Sequence, residues 1–294
     1  MNALHHPVTN YLIQKTGIKF KPKTLLMFAL MAAFAWTINL FGQVTFPSNN
    51  LIPFLIRSLI ACAALVIVLF TNVRLLKANQ LPASSLGLEF SVKSSIGFLL
   101  GISIGIIAMV IMSTLMYLFV PYHFTKGPMS VAEVFKTSFS FLIGNTIEEL
   151  IFRGLPLIVL SQTIGWRKAA FVMALPFGLF HLPGTESVSW GLNIVTTTAF
   201  YSMVFSFAFI LTGSLWAAIS THVISNVILH LLLGLDGANN ALFVPVFDAK
   251  WPTDYNLGLV LYVTTSIAVA FYLYIRISKR AKLLHGQPTA HIPN

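Results

Sequence analysis

The chain has 294 residues, 56% of them hydrophobic and only 9% charged. Soluble domains carry about 25% charged residues, so a water-soluble globular protein is excluded and an integral membrane protein is expected. The formal net charge of +10 does not indicate a nucleic-acid partner, because the basic residues sit in short segments between long apolar runs, as in loops facing a cytoplasm.

Residues 1–23 form a basic opening segment with Lys15, Lys19, Lys21 and Lys23. It has no apolar stretch followed by a small-residue cleavage site, so no removable signal peptide is expected. A spanning helix needs about 20 mostly apolar residues. Eight spans are predicted, at about 24–46, 51–72, 95–121, 136–160, 168–183, 190–212, 214–235 and 256–277. The fold class is therefore an all-α membrane protein, one bundle around a polar cavity, with a membrane domain over 24–277 and a cytoplasmic tail over 278–294. Cys62 is the only cysteine, so no internal disulfide forms. The 73–94 segment reads as a plain cytoplasmic connector. The 236–255 segment is an outer loop, with Trp251 and Tyr255 as interface anchors. No internal repeat or low-complexity tract is visible.

Orientation follows from lysine and arginine. With the N-terminus inside, fourteen of the eighteen basic residues fall on the inner side, and Asp236, Asp248 and Asp254 fall on the outer side. Both termini are expected to be cytoplasmic, which requires an even number of spans.

The fourth span holds NTIEELIFRG, with Glu148, Glu149 and Arg153. A charge at the bilayer centre costs about 2.5–3.5 kcal/mol on insertion scales, so three of them within a turn and a half need a reason. Glu149 and Arg153 are four apart and share a helix face, which suits a structural pair. Glu148 is rotated by about 100° and left to face something else. The fifth span places Phe177 and His181 four apart, and the seventh places His222, Asn226 and His230 at intervals of four. Taken singly, each His or Asn reads as a packed residue or as interhelical glue. Taken together, a diacid, a His and a His–Asn pair on three helices can build one buried polar site.

A carboxylate in an apolar setting can act as general base toward water. A histidine can help to position or deprotonate that water, and an amide with an imidazole N–H can stabilise an oxyanion. The parts of a peptide hydrolase are present without a nucleophilic serine or cysteine; Ser225 points off the face of His222 and Asn226. No HExxH motif occurs. Glu148, His181 and His222 also form a two-His, one-carboxylate set of the kind that binds zinc. The same polar groups are open to two other readings, a non-enzymatic immunity or scaffold partner and a proton-coupled transporter.

EExxxR (Glu148, Glu149, Arg153), FxxxH (Phe177, His181) and HxxxN (His222, Asn226), in this order on separate helices, resemble the motifs of the CAAX prenyl protease and bacteriocin-processing (CPBP, abortive-infection-like) family of intramembrane endopeptidases. The resemblance covers residues 148–226, inside a protease-like core at 136–235, and all seven motif positions agree with it. It implies helices around a water-accessible cavity, with Glu148 as the leading catalytic carboxylate and His181 helping to activate water. It further implies that His222 and Asn226 stabilise the oxyanion, and that Glu149, Arg153 and Phe177 support the site. The implied substrate is a membrane-anchored or lipidated peptide or protein, with no nucleic acid involved. No catalytic metal is favoured; a divalent ion such as zinc would use Glu148, His181 and His222. One difficulty stands: with straight, full-length spans, Glu148, His181 and His222 do not reach equal depth.

Overall fold

The computed structural model describes residues 12–13, 22–45, 51–182, 187–235, 240–247 and 256–285. Lys15, Lys19, Lys21, Asp236, Asp248, Trp251, Asp254, Tyr255 and the end of the tail lie outside the described residues. The chain forms α1 (Pro22–Thr45), α2 (Leu51–Ala78), a 3-10 turn (Ala83–Leu86), α3 (Val92–Phe119), β1 (Tyr122–Lys126) and α4 (Val131–Glu149). A π-helical turn (Leu150–Gly154), α5 (Leu155–Ile164), α6 (Trp166–Phe180), α7 (Val188–Thr212) and α8 (Leu215–Asn226) follow. A second π turn (Val227–Leu232), β2 (Phe243–Phe247) and α9 (Asn256–His285) complete it.

The protein is mostly helical and membrane-spanning, but the spans differ from those expected. Among the described residues, five helices are long and apolar enough to cross a bilayer: α2, α3, α7, α8 with its π extension, and α9. In α1 the apolar stretch Leu25–Ile38 is shorter. The expected spans at 136–160 and 168–183 do not appear as independent full-length helices. The first is a bent path, α4 through the π turn into α5, that carries the charged motif. The second is α6, whose 15 residues reach only about 22 Å against a hydrocarbon core of about 30 Å.

Lipid-facing and core-facing helices separate clearly. In α2, Leu55, Leu59, Val66 and Phe70 are exposed, as suits side chains in contact with acyl tails. In α7, every residue from Tyr201 to Ile210 is buried, the signature of a helix enclosed by others. α7 packs on α6 and α9, and α8 packs on α3.

The α3–α8 contact is a small-residue seam of the type that lets membrane helices approach closely. Gly97, Gly101 and Gly105 form one stripe of α3, and a Cβ at Gly101 would lie 2.1 Å from Ser220 Oγ and 2.3 Å from the Ala217 carbonyl oxygen. In that close seam Ser220 Oγ donates to Phe98 O (2.8 Å) and Thr221 Oγ1 to Gly101 O (3.0 Å). These bonds seat the helix that carries His222 and Asn226.

The all-α expectation needs one correction. β1 and β2 pair as an antiparallel ribbon, from Tyr122 opposite Phe247 to Lys126 opposite Phe243. Each strand has five residues and sits in a connection, too short to stand out among longer apolar runs. The pairing also puts these two connections on the same side of the bundle.

Candidate active site

The first motif is launched by a capping box. Ser130 Oγ accepts from Glu133 N (3.2 Å) while Glu133 Oε2 accepts from Ser130 N (2.7 Å), which starts α4. At the other end of α4, Arg153 Nη1 donates to Glu149 Oε1 at 3.1 Å, with both side chains fully buried. Arg153 also donates from Nη2 to Ser202 O (2.9 Å) and from Nε to Ser206 Oγ (3.4 Å). Its guanidinium carbon stands 4.2 Å from the centre of the Phe177 ring. The aromatic residue of the second motif thus covers the cation of the first.

Glu149 does more than pair with Arg153. Its Oε1 also lies 2.9 Å from His222 Nδ1. A carboxylate accepts, so Nδ1 carries the proton and the His222 Nε2 edge turns toward Glu148, 3.9 Å from its Oε2. The imidazole stacks on Phe205, with ring centres 4.3 Å apart and planes 21° apart.

His181 is held in a similar way. Its Nδ1 is 2.8 Å from Phe177 O, and a carbonyl only accepts, so Nδ1–H donates. Its Nε2 then faces Glu148 Oε2 at 3.7 Å. Both Nε2 distances are too long for a direct hydrogen bond but fit a water about 2.8 Å from each polar atom. Glu148 Oε2 has no hydrogen-bond partner among the described residues. The side chains of Glu148 (20%) and His181 (26%) keep some exposure while His222 has 6%, so the accessible side of the cluster is the Glu148–His181 edge.

Asn226, one turn beyond His222, donates from Nδ2 to Asn145 Oδ1 at 3.5 Å. Asn145 is 4% exposed and its Nδ2 has no partner among the described residues. Sequence reading passed over Asn145, although it stands four residues before Glu149 on the same helix face. It also passed over Ser202, Ser206 and Phe205, which no spacing within α7 distinguishes from packing residues. His230 continues the face by which Asn226 meets α4: it lies in the second π turn and packs near Phe141, four residues before Asn145, with ring centres 6.0 Å apart. Ser225 is turned away, 2.7 Å from Tyr201 Oη.

The structure accounts for the equal depth of the three motifs. Glu148 precedes Gly165 by seventeen residues and His181 follows it by sixteen. Gly165, at φ 86°, reverses the chain between α5 and α6, so the descent and return are nearly equal in length. His181 caps the returning α6 and arrives level with Glu148.

Among the described residues, no group of three or more His, Cys, Asp or Glu is arranged to hold a metal ion. Two cavities of about 340 and 490 Å³ lie elsewhere, one beside Tyr122 under the ribbon and the other at the Gly165 turn.

Residues 130–228 match the family described as type II CAAX prenyl endopeptidase Rce1-like. This core is similar to that family. The match runs from the capping Ser130 into the second π turn and takes in all three motifs, while α1, α2, α3 and α9 lie outside it. No curated protein matches the chain. The family is one of proteases acting on membrane-associated peptides or proteins, which agrees with the apolar helices of an integral membrane protein.

Proposed function

We propose that the chain is an intramembrane endopeptidase that hydrolyses a peptide bond of a membrane-associated or lipidated substrate. Water is activated between Glu148 and His181. The observation that carries this reading is the convergence of Glu148 Oε2 with His181 Nε2 at 3.7 Å and His222 Nε2 at 3.9 Å, inside a segment matching an endopeptidase family.

In this reading Glu148 takes a proton from a water that also donates to His181 Nε2. Phe177 O fixes the ring by holding Nδ1–H, which leaves Nε2 as acceptor. The resulting hydroxide attacks the scissile carbonyl carbon, and the oxyanion is met by Asn226 Nδ2–H and by Nε2–H of His222 in its cationic form. Glu149, at Nδ1, stabilises that cation, and Arg153 balances the Glu149 charge. Glu148 then returns its proton to the leaving amine as the C–N bond breaks, giving a carboxylic acid and an amine. No step passes through a metal. From the charge of the loops we take both termini to be cytoplasmic, and the substrate class suggested by the family description is a prenylated C-terminal peptide.

The test compares peptide termini in membrane fractions from cells carrying the wild type and cells carrying Glu148→Gln at matched expression. Termini present only with the wild type support a protease and name its substrate class. Identical termini, under conditions where the protein is needed, refute it in favour of a partner or transporter role. Cleavage that stops on adding a chelator would refute the metal-free mechanism.

A further inference from the structure

The helix α2 lies outside the family-matched segment and faces lipid over most of its length. Its buried residues form one stripe, Ala64, Val68, Asn72 and Leu76, in which Asn72 alone is polar. Asn72 is fully buried. A buried amide is costly unless it is hydrogen-bonded, and this one is bonded at both ends. Its Nδ2 donates to Val68 O (3.0 Å) within α2, and its Oδ1 accepts from the backbone N–H of Leu155 (2.9 Å) across the bundle.

The Leu155 N–H needs an outside acceptor. It is among the first amides of α5, which lack partners within their own helix. Gly154, at ψ −122°, turns the chain out of the π helix just before it, and Pro156 has no N–H to offer. The space beside Gly154 is filled by the same amide. A Cβ at Gly154 would lie 2.4 Å from Asn72 Oδ1 and 3.2 Å from its Cγ. The amide of α2 and the missing side chain at Gly154 therefore fit one another, and the bend is fastened from outside the motif helix.

We infer that Asn72 is a positioning residue of the site: by holding the bend at Gly154 it sets the placement of Arg153, and through Arg153 that of Glu149 and His222. The linkage is short. Arg153 adjoins Gly154, bonds Glu149 Oε1, and shares that oxygen with His222 Nδ1. The functional part of this inference rests on the endopeptidase reading. The structural part does not.

The test uses the full chain in lipid nanodiscs. Asn72→Leu removes the acceptor at similar volume, and Asn72→Asp keeps an acceptor oxygen. Hydrogen exchange at the Leu155 amide is expected to rise at least about fivefold in Asn72→Leu, the equivalent of one lost net hydrogen bond, and to stay slow in Asn72→Asp. The ¹⁵N resonance of His222 Nδ1 is expected to move in Asn72→Leu. On a farnesylated C-terminal peptide, kcat is expected to fall at least about tenfold with KM unchanged, and Asn72→Asp to recover most of it. Unchanged exchange at Leu155, or an unmoved His222 resonance when exchange has risen, overturns the inference. A raised KM at constant kcat overturns it also. If Asn72→Leu does not fold, Gly154→Ala is compared with Asn72→Ala/Gly154→Ala. The second alanine is expected to rescue folded yield, and equal damage in both overturns the fit of amide to glycine. If neither wild type nor Glu148→Gln cleaves the peptide, that bears on the endopeptidase reading alone, and exchange and resonance still decide the role of Asn72.

Discussion

Arg153→Met removes the only guanidinium from a fully buried network. Arg153 makes a 3.1 Å contact to Glu149 and a 2.9 Å bond to Ser202 O, and both charged side chains are at 0% exposure. Methionine keeps much of the apolar stem that lies against Phe177, so packing changes less than charge. What remains is a buried Glu149 carboxylate hydrogen-bonded by His222, plus a carbonyl at Ser202 relieved of one donor. Breaking a buried pair from one side costs about 3–5 kcal/mol, and a lost bond to a buried carbonyl adds about 1 kcal/mol. The expected loss of unfolding free energy is therefore about 5 kcal/mol. Removing both charges, in Glu149→Gln/Arg153→Met, leaves no unpaired ion and is expected to restore at least about 2 kcal/mol of it. Unfolding free energies from denaturing-detergent titration of the purified protein at neutral pH provide the measurement. A single-mutant loss below about 1 kcal/mol, or a double mutant equal to the sum of the singles, would refute the assignment of Glu149–Arg153 as a coupled buried pair.

Four further expectations follow from the same contacts. Glu148→Gln should lower kcat by about 10²–10⁴ while leaving the unfolding midpoint within error, because Oε2 has no partner to lose; single-turnover cleavage with a parallel melting curve checks both. Asn226→Ala should cost about 10²–10³ in kcat as an oxyanion donor is lost, with KM little changed in steady-state assays. Gly101→Val should separate α8 from α3, costing about 1–3 kcal/mol and lowering activity together with stability; cross-linking yield between engineered cysteines on the two helices would report the separation. The hydrogen bonds that Glu133 accepts from the Ser130 backbone N–H, and then from its hydroxyl, hold its carboxyl below the ordinary 4.5. Their contribution to the first turn of α4 is complete above that value and is lost as pH falls through the lowered one. Amide exchange at residues 131–134, corrected for intrinsic rates, should rise on acidification in the wild type and be nearly pH-independent in Glu133→Gln.

The chemistry of the site was legible because its residues obey helical spacing. Glu149 and Arg153, Phe177 and His181, and His222 and Asn226 are each four apart, and ionisable groups in apolar helices stand out against their surroundings. That these groups share one site was expected, but their individual pairings across helices were not legible. The contact between Glu149 and His222 joins residues 73 positions apart, and no periodicity within either helix predicts it. Asn72 was hidden in a first half that looked merely hydrophobic, where one amide among leucines and valines carries no pattern. The π turns were missed because they alter the backbone hydrogen bonding without altering composition. Span counting did not reveal the form of α4–α6, because a bent helix followed by a close reversal has the hydrophobicity of two straight crossings.

The ribbon of β1 and β2 bears on how this protein can be rebuilt. Its strands flank the family-matched segment on either side, and beside them Gly127 N bonds Leu242 O (2.9 Å) and Met129 N bonds Ala241 O (3.2 Å). The chain therefore leaves for the motif helices and comes back to nearly the same place. A stretch whose two ends meet can be exchanged as a cassette, since its insertion asks the host only for two neighbouring attachment points. Grafts between related proteins joined within 122–126 and 243–247 should keep main-chain pairing at the seam whatever side chains the donor brings, whereas joints cut inside α4 or α8 would divide the cluster. The companion residue that a graft must not leave behind is Asn72, which the recipient would have to supply.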